Sequence, residues 1–226
     1  MTINKINFPI YELMIALSVL IGILYIFLSL KNEKIKTPKI IIFYILFFLL
    51  AIIVGKIYTF ITMGGQVNII KVGPSSYGGL IGVAIASIIY EKFFPAKGKV
   101  IKYSVLSLPL IYAFGKIGCF FIGCCYGIPY DGPFAVTYPH ISEKSLFPIQ
   151  FLEIIIFFTI FITCNILKDK KNVVYITLLL IVIFKFLLDF LRYSHLTQTI
   201  SPNQIFSLVL LIVIIIIYVK QKNTKK

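Results

Sequence analysis

Charge is what this sequence has least of. Asp, Glu, Lys and Arg make up only 13% of its 226 residues, about half the usual share in a soluble globular protein. Acids are scarcest, 8 against 22 basic residues. With 59% hydrophobic residues, this scarcity excludes a soluble domain, which has no means of hiding so much apolar surface. Strict apolar–polar alternation is also missing, which excludes a membrane β-barrel. Helices are then the remaining way to satisfy backbone polar groups in lipid. Apolar runs recur at 9–30, 40–62, 79–94, 103–121, 148–167, 173–191 and 202–219. Runs near 20 residues suit a hydrocarbon core about 30 Å thick, at about 1.5 Å per helical residue. The first run is long for a signal peptide and no small-residue cleavage site follows it, so it reads as a retained first helix. The sequence predicts an all-α integral membrane protein, a single transmembrane domain over residues 1–226.

The net charge of +14 suggests nucleic acid until the charges are located. Lys31, Lys34, Lys36 and Lys39 follow the first run, and Lys92, Lys97, Lys99 and Lys102 the third. Lys168, Lys170 and Lys171 follow the fifth, and Lys220, Lys222, Lys225 and Lys226 close the chain. The alternate connections carry only Lys5, Lys71, Lys144 and Arg192. By the positive-inside rule the lysine-rich side is cytoplasmic. About seven transmembrane helices then put the N-terminus outside and the C-terminus in the cytoplasm. The basic charge is a topology signal and an attraction to the lipid bilayer's anionic headgroups; no nucleic-acid partner is expected.

Lys56, Lys116 and Lys185 lie inside spans, and Glu12, Glu153 and Asp189 lie inside or at the ends of spans. Each charge held within the bilayer costs roughly 2.5–3.5 kcal/mol on insertion scales. A structural ion pair or a snorkelling lysine is the plain explanation; a polar site within the bundle is the reading preferred here. The outer connections 63–78, 122–147 and 192–201 are rich in Gly, Pro and polar residues, and functional residues concentrate on such loops. Gly55-Lys56-Ile57 recurs as Gly115-Lys116-Ile117, too little to make an internal repeat.

The most informative stretch is 112–127, YAFGKIGCFFIGCCYG. Its small residues let a bound group approach the backbone, or let helices pack closely. Lys116 among them points to an anion site. Lys185, Asp189 and Arg192 are spaced i, i+4, i+7, which puts them on one helical face, where Asp189 can pair with either cation. Arg192 is the sole arginine among 22 basic residues, and arginine alone offers a planar fork for phosphate or carboxylate. Gln150 and Glu153 share a face where the fifth run opens, and Glu153 suits either a helix cap or a catalytic role. Cys119, Cys124 and Cys125 match no common zinc spacing, so no metal is expected; buried packing and a disulfide stay open. His140 and His195 show no partner.

At these residues the chain resembles the bacterial prolipoprotein diacylglyceryl transferases. Tyr11-Glu12-Leu13-Met14 is similar to the opening of that family's first helix, and Gly55-Lys56-Ile57-Tyr58 to a second-helix motif. Tyr77-Gly78-Gly79 resembles its histidine-glycine-glycine motif. Residues 115–127 resemble its signature G-R-x-G-N-F-x-N-G-E-x-x-G, with Lys116, Cys119 and Cys124 at the arginine, asparagine and glutamate positions. Residues 147–153 are similar to P-S-Q-L-Y-E, residues 184–192 to R-F-x-x-E-x-x-R, and Asn203-Gln204 through Ser207 to G-Q-x-x-S.

The resemblance implies a multi-pass enzyme of the bacterial plasma membrane. It would move a diacylglyceryl group from phosphatidylglycerol to the lipobox cysteine thiol of a lipoprotein precursor, releasing glycerol 1-phosphate, without a cofactor. It implies that Lys116, Lys185, Tyr77 and Asp189 are catalytic. Lys116, Arg192, Lys56, Tyr11, Gly127, Gln150 and Glu153 would bind phosphatidylglycerol. Tyr77 stands where the family has histidine. Two alternatives stay open: a diverged membrane enzyme serving another acceptor, and a non-enzymatic lipid-binding protein or small transporter. Cations gathered near the outer interface favour an enzyme; cations strung through the bilayer favour transport.

Overall fold

A computed structural model describes residues 1–4, 8–62, 64–65, 68–71, 76–94, 96 and 98–223. The helices are α1 (Ile10–Asn32), α2 (Thr37–Thr62), α3 (Ser76–Phe93), α4 (Lys99–Ile122), α5 (Ile149–Ile166), α6 (Val173–Asp189) and α7 (Pro202–Asn223). Five of them, α1, α2, α4, α5 and α7, are long and apolar enough to cross a membrane. At 18 and 17 residues, α3 and α6 are the shortest but for α5, also 18. Many of the helices' apolar side chains face outward, with Leu20, Ile45 and Ile166 all at least 60% exposed. Polar residues such as Gln150, Glu153 and Thr177 are buried instead. Such a surface needs lipid around it.

The chain forms two compact units. One runs from Leu24 to Ser104 and is built on the pairing of α2 with α3. Here glycine decides the packing: a Cβ on Gly78 would lie 2.6 Å from the Val54 carbonyl oxygen, and one on Gly82 would meet the Leu50 backbone. At the far end of this unit the Glu91 carboxylate accepts the backbone N–H groups of Ala96, Gly98 and Val100 at 3.0–3.1 Å. These include donors that a helix start leaves orphaned. Glu33 pairs with Lys99 at 2.7 Å and accepts the Tyr103 hydroxyl at 2.6 Å.

The other unit combines Met1–Ile23 with Val105–Lys226. In it α5 packs on α6 and α6 on α7, while Gly118 of α4 lies against Tyr11 and Met14 of α1. The stretch expected as an outer loop contains an antiparallel hairpin, β1 (Val136–Tyr138) with β2 (Ser142–Leu146), paired Val136 to Leu146 and Tyr138 to Ser142. The N-terminal residues lie beside it: Ile3 N–H donates to Thr137 O and Thr137 N–H to Met1 O, both at 2.9 Å. Ile3, Val136, Tyr138 and Leu146 bury one small core, packed against Phe120 and Tyr126. This core seats the hairpin on the C-terminal end of α4. It does so beside the starts of α5 and α7 and the end of α6, where the unit's charged residues gather.

Candidate functional site

Glu153, one turn into α5 and 2% exposed, is the hub. Its Oε2 pairs with the Lys116 ammonium at 2.7 Å. Its Oε1 accepts Arg192 Nη2 at 2.8 Å and the Tyr112 hydroxyl at 2.9 Å. A capping role is not what Glu153 plays, because α5 begins at Ile149 and has no acid in its first turn. Tyr112 carries both lysines on its ring, with Lys116 Nζ 5.2 Å and Lys185 Nζ 4.7 Å from the centroid. Cations over an aromatic face gain from the ring quadrupole, more so away from water.

Asp189 closes the other side. It faces Arg192 Nε at 3.3 Å and His195 Nε2 at 3.3 Å, and accepts the hydroxyl of Ser201 and, at 3.4 Å, the Asn203 amide. The expectation that Lys185, Asp189 and Arg192 share a helical face is corrected at Arg192. There α6 has ended at Asp189 and the backbone is extended, with φ −85° and ψ 148°. The guanidinium therefore folds back and spans two carboxylates, Glu153 and Asp189, instead of forking onto one. Gly127 makes this possible. It forms an antiparallel bridge with Arg192, and a Cβ there would lie 2.5 Å from the Phe147 carbonyl oxygen and 2.9 Å from that of Leu191.

Gln150 is fully buried and its amide donates to the Cys124 carbonyl at 2.8 Å. Its Oε1 has no hydrogen-bond donor among the described residues. An orphaned buried acceptor costs about 1–3 kcal/mol, so a ligand hydroxyl would be welcome there. Tyr11 lies in the first turn of α1 beside Gly118, and is partly exposed. Lys56 lies in the other unit, where its ammonium donates to the carbonyls of Ile70 at 2.6 Å and Ile69 at 3.4 Å. Tyr77 belongs to the first turn of α3, and its side chain lies outside the described residues.

Counted as ionised, Lys116, Lys185 and Arg192 outnumber Glu153 and Asp189 by three to two, a net single positive charge. A phosphodiester carries one negative charge and would neutralise it. The cations occupy the C-terminal parts of α4 and α6, opposite the end of the unit where Lys168, Lys170, Lys171, Lys220 and Lys222 lie. They are clustered, not strung along the helices. An apolar groove of about 250 Å³ lies on α5 and α6, lined by Ile156, Thr159, Ile160, Thr163, Leu180 and Phe184. It starts within one turn of Glu153 and beside Lys185.

Residues 1–220 match the sequence profile of the family described as prolipoprotein diacylglyceryl transferase. The chain belongs to that family. Among curated proteins it is similar to a phosphatidylglycerol–prolipoprotein diacylglyceryl transferase of Clostridium tetani, at 33% identity over 36% of this chain and 37% of that one. The protein of the same name from Legionella pneumophila (strain Corby) is 33% identical over 36% of this chain and 32% of its own length. The matches thus span about a third of the length of these curated relatives.

Sequence reading missed Tyr112 as the link between the two lysines, and missed Ser201 and His195 as partners of Asp189. Tyr112 was visible as the first residue of the most informative stretch. His195 gave no signal, because its partner lies across the turn that ends α6.

Proposed function

We propose that this protein is a multi-pass enzyme of the bacterial plasma membrane. It transfers a diacylglyceryl group from phosphatidylglycerol to the lipobox cysteine thiol of a lipoprotein precursor. The observation that carries the proposal is the buried cluster in which Lys116 and Arg192 flank Glu153 while Lys185 shares the Tyr112 ring. In the reaction the thiol sulfur attacks the glyceryl carbon that bears the phosphate. A C–S bond forms as the sulfur's proton passes to water, the C–O bond breaks, and its electron pair leaves with glycerol 1-phosphate. Charge grows on the departing oxygens, and preorganised cations away from water stabilise that charge strongly. Glu153 holds the cations in place until the phosphate takes its share of them. Asp189 orients Arg192, and the Gln150 carbonyl oxygen receives a glycerol hydroxyl. The groove on α5 and α6 takes an acyl chain from the side.

The chain has seven spans with its N-terminus outside and the cluster near the outer interface, a reading supported by the lysines at the opposite helix ends. Tyr77, at the position where the family pattern has histidine, contributes its hydroxyl to transfer. The test is purified protein with phosphatidylglycerol vesicles and a lipobox peptide, read by mass spectrometry. Lys116→Ala is expected to lower turnover by roughly 100-fold or more, the scale for losing one charge-stabilising group. Unchanged turnover in that variant would remove the phosphate role.

A further inference from the structure

The cysteines at the end of α4 and just after it are not used by the phosphate site, yet the fold gathers them. Cys119 lies in the last turn of α4. Gly123 and Cys125 then adopt left-handed backbone, with φ of 77° and 56°. For a residue other than glycine this is uncommon, and such strain collects at functional sites. The two turns fold the chain back until all three Sγ atoms lie within 4.8 Å of one another. Packing does not explain this, because Cys124 is only half-buried and Cys125 is exposed.

Zinc–thiolate bonds of about 2.3 Å in a tetrahedron put neighbouring sulfurs about 3.8 Å apart. The observed trio needs only a small contraction to reach that spacing. Structural zinc sites are closed by four protein ligands, whereas three protein ligands leave a position for substrate.

We propose that Cys119, Cys124 and Cys125 bind one zinc-class divalent cation as thiolates, and that its open fourth position takes the acceptor's thiol. The second half rests on the diacylglyceryl transfer proposed above; the first does not. A thiol coordinated to such a cation is deprotonated outright, so the nucleophile forms without a histidine base. The acceptor thiol releases its proton to water on binding. Its sulfur then forms the C–S bond as the C–O bond to phosphate breaks, and the electron pair departs on the phosphate oxygen. No oxidant or reductant takes part. The Gln150 amide that fixes the Cys124 carbonyl lies one turn from Glu153, which sets the trio beside the phosphate cluster.

The test uses the full-length protein, purified in detergent, reduced, and titrated anaerobically with Cd²⁺. One equivalent per chain is expected to give thiolate-to-cadmium absorption, and to protect three of the four cysteines from alkylation. Cys124→Ser and Cys125→Ser should abolish the absorption, and Cys164→Ala, in α5, should keep it. The protection measurement needs no variant, so a variant that misfolds does not decide the matter. Adding a lipobox peptide should raise the absorption by roughly a third as a fourth thiolate joins. Absence of stoichiometric binding, binding indifferent to Cys125→Ser, or a standing disulfide within the trio in protein taken from membranes without reductant would overturn the site. Absorption unmoved by the peptide would overturn the fourth-ligand role. Cadmium binding in protein that transfers no lipid would support the site and sink the transfer reading alone.

Discussion

At the scale of single residues, Glu153 carries more than its place in the sequence suggests. Among the described residues it is the one carboxylate touching Lys116, Arg192 and Tyr112 together. Removing one partner of a buried ion pair typically costs about 3–5 kcal/mol, because the other charge stays buried. Glu153→Gln is therefore expected to lower the thermal unfolding midpoint in detergent by several degrees or more. Free glycerol 1-phosphate should restore part of that loss, and stabilise the variant more than the parent, because it refills the same cations. A variant as stable as the parent, or indifferent to the phosphate, would mean that Glu153 does not stand in for a ligand. Tyr77 is tested differently. Tyr77→Phe deletes only the hydroxyl, so slower transfer at unchanged stability is the expected result, and full-rate transfer would make it an interfacial aromatic.

At the scale of elements, the close approach at Gly127 is what delivers Arg192. Gly127→Ala pushes a Cβ onto the Phe147 and Leu191 carbonyls. The expected outcome is transfer reduced at least as far as by Arg192→Lys, measured on matched amounts of folded protein; near-parental activity would deny the bridge this role. On the unit built around α2 and α3, Lys99 and then Tyr103 hold the Glu33 carboxyl below its ordinary value of 4.5. A lowered carboxylate pKa adds stability that is present above the ordinary value and lost as pH falls through the folded one. Acid unfolding below about pH 4.5 should thus be less steep in Glu33→Gln, and identical acid profiles would contradict the linkage.

The elements themselves were largely legible. Each helix end falls within about four residues of the apolar run that announced it, because hydrocarbon thickness dictates run length. The hairpin was not, since its strands are three and five residues long and β2 reads Ser-Glu-Lys-Ser-Leu, without alternation. Of the site, Lys116, Lys185, Asp189, Arg192 and Glu153 were marked by charge where charge is expensive, and Gln150 by sharing a face with Glu153. The cysteine cluster stayed hidden because it depends on the left-handed turn at Cys125, which no spacing rule encodes.

At the scale of the whole molecule, lysine distribution and cluster position predict one topology. Single cysteines placed at Asp131 should react with impermeant reagents from outside intact cells. Those placed at Lys170 should react only after permeabilisation. The measurement that bears most directly on the central claim is lipid transfer itself. With phosphatidylglycerol vesicles and a lipobox peptide, diacylglyceryl transfer predicts a peptide heavier by one diacylglyceryl group, one glycerol 1-phosphate released per peptide modified, and both lowered together in Lys116→Ala. Folded, membrane-embedded protein that releases no glycerol 1-phosphate and leaves the peptide thiol free would contradict it.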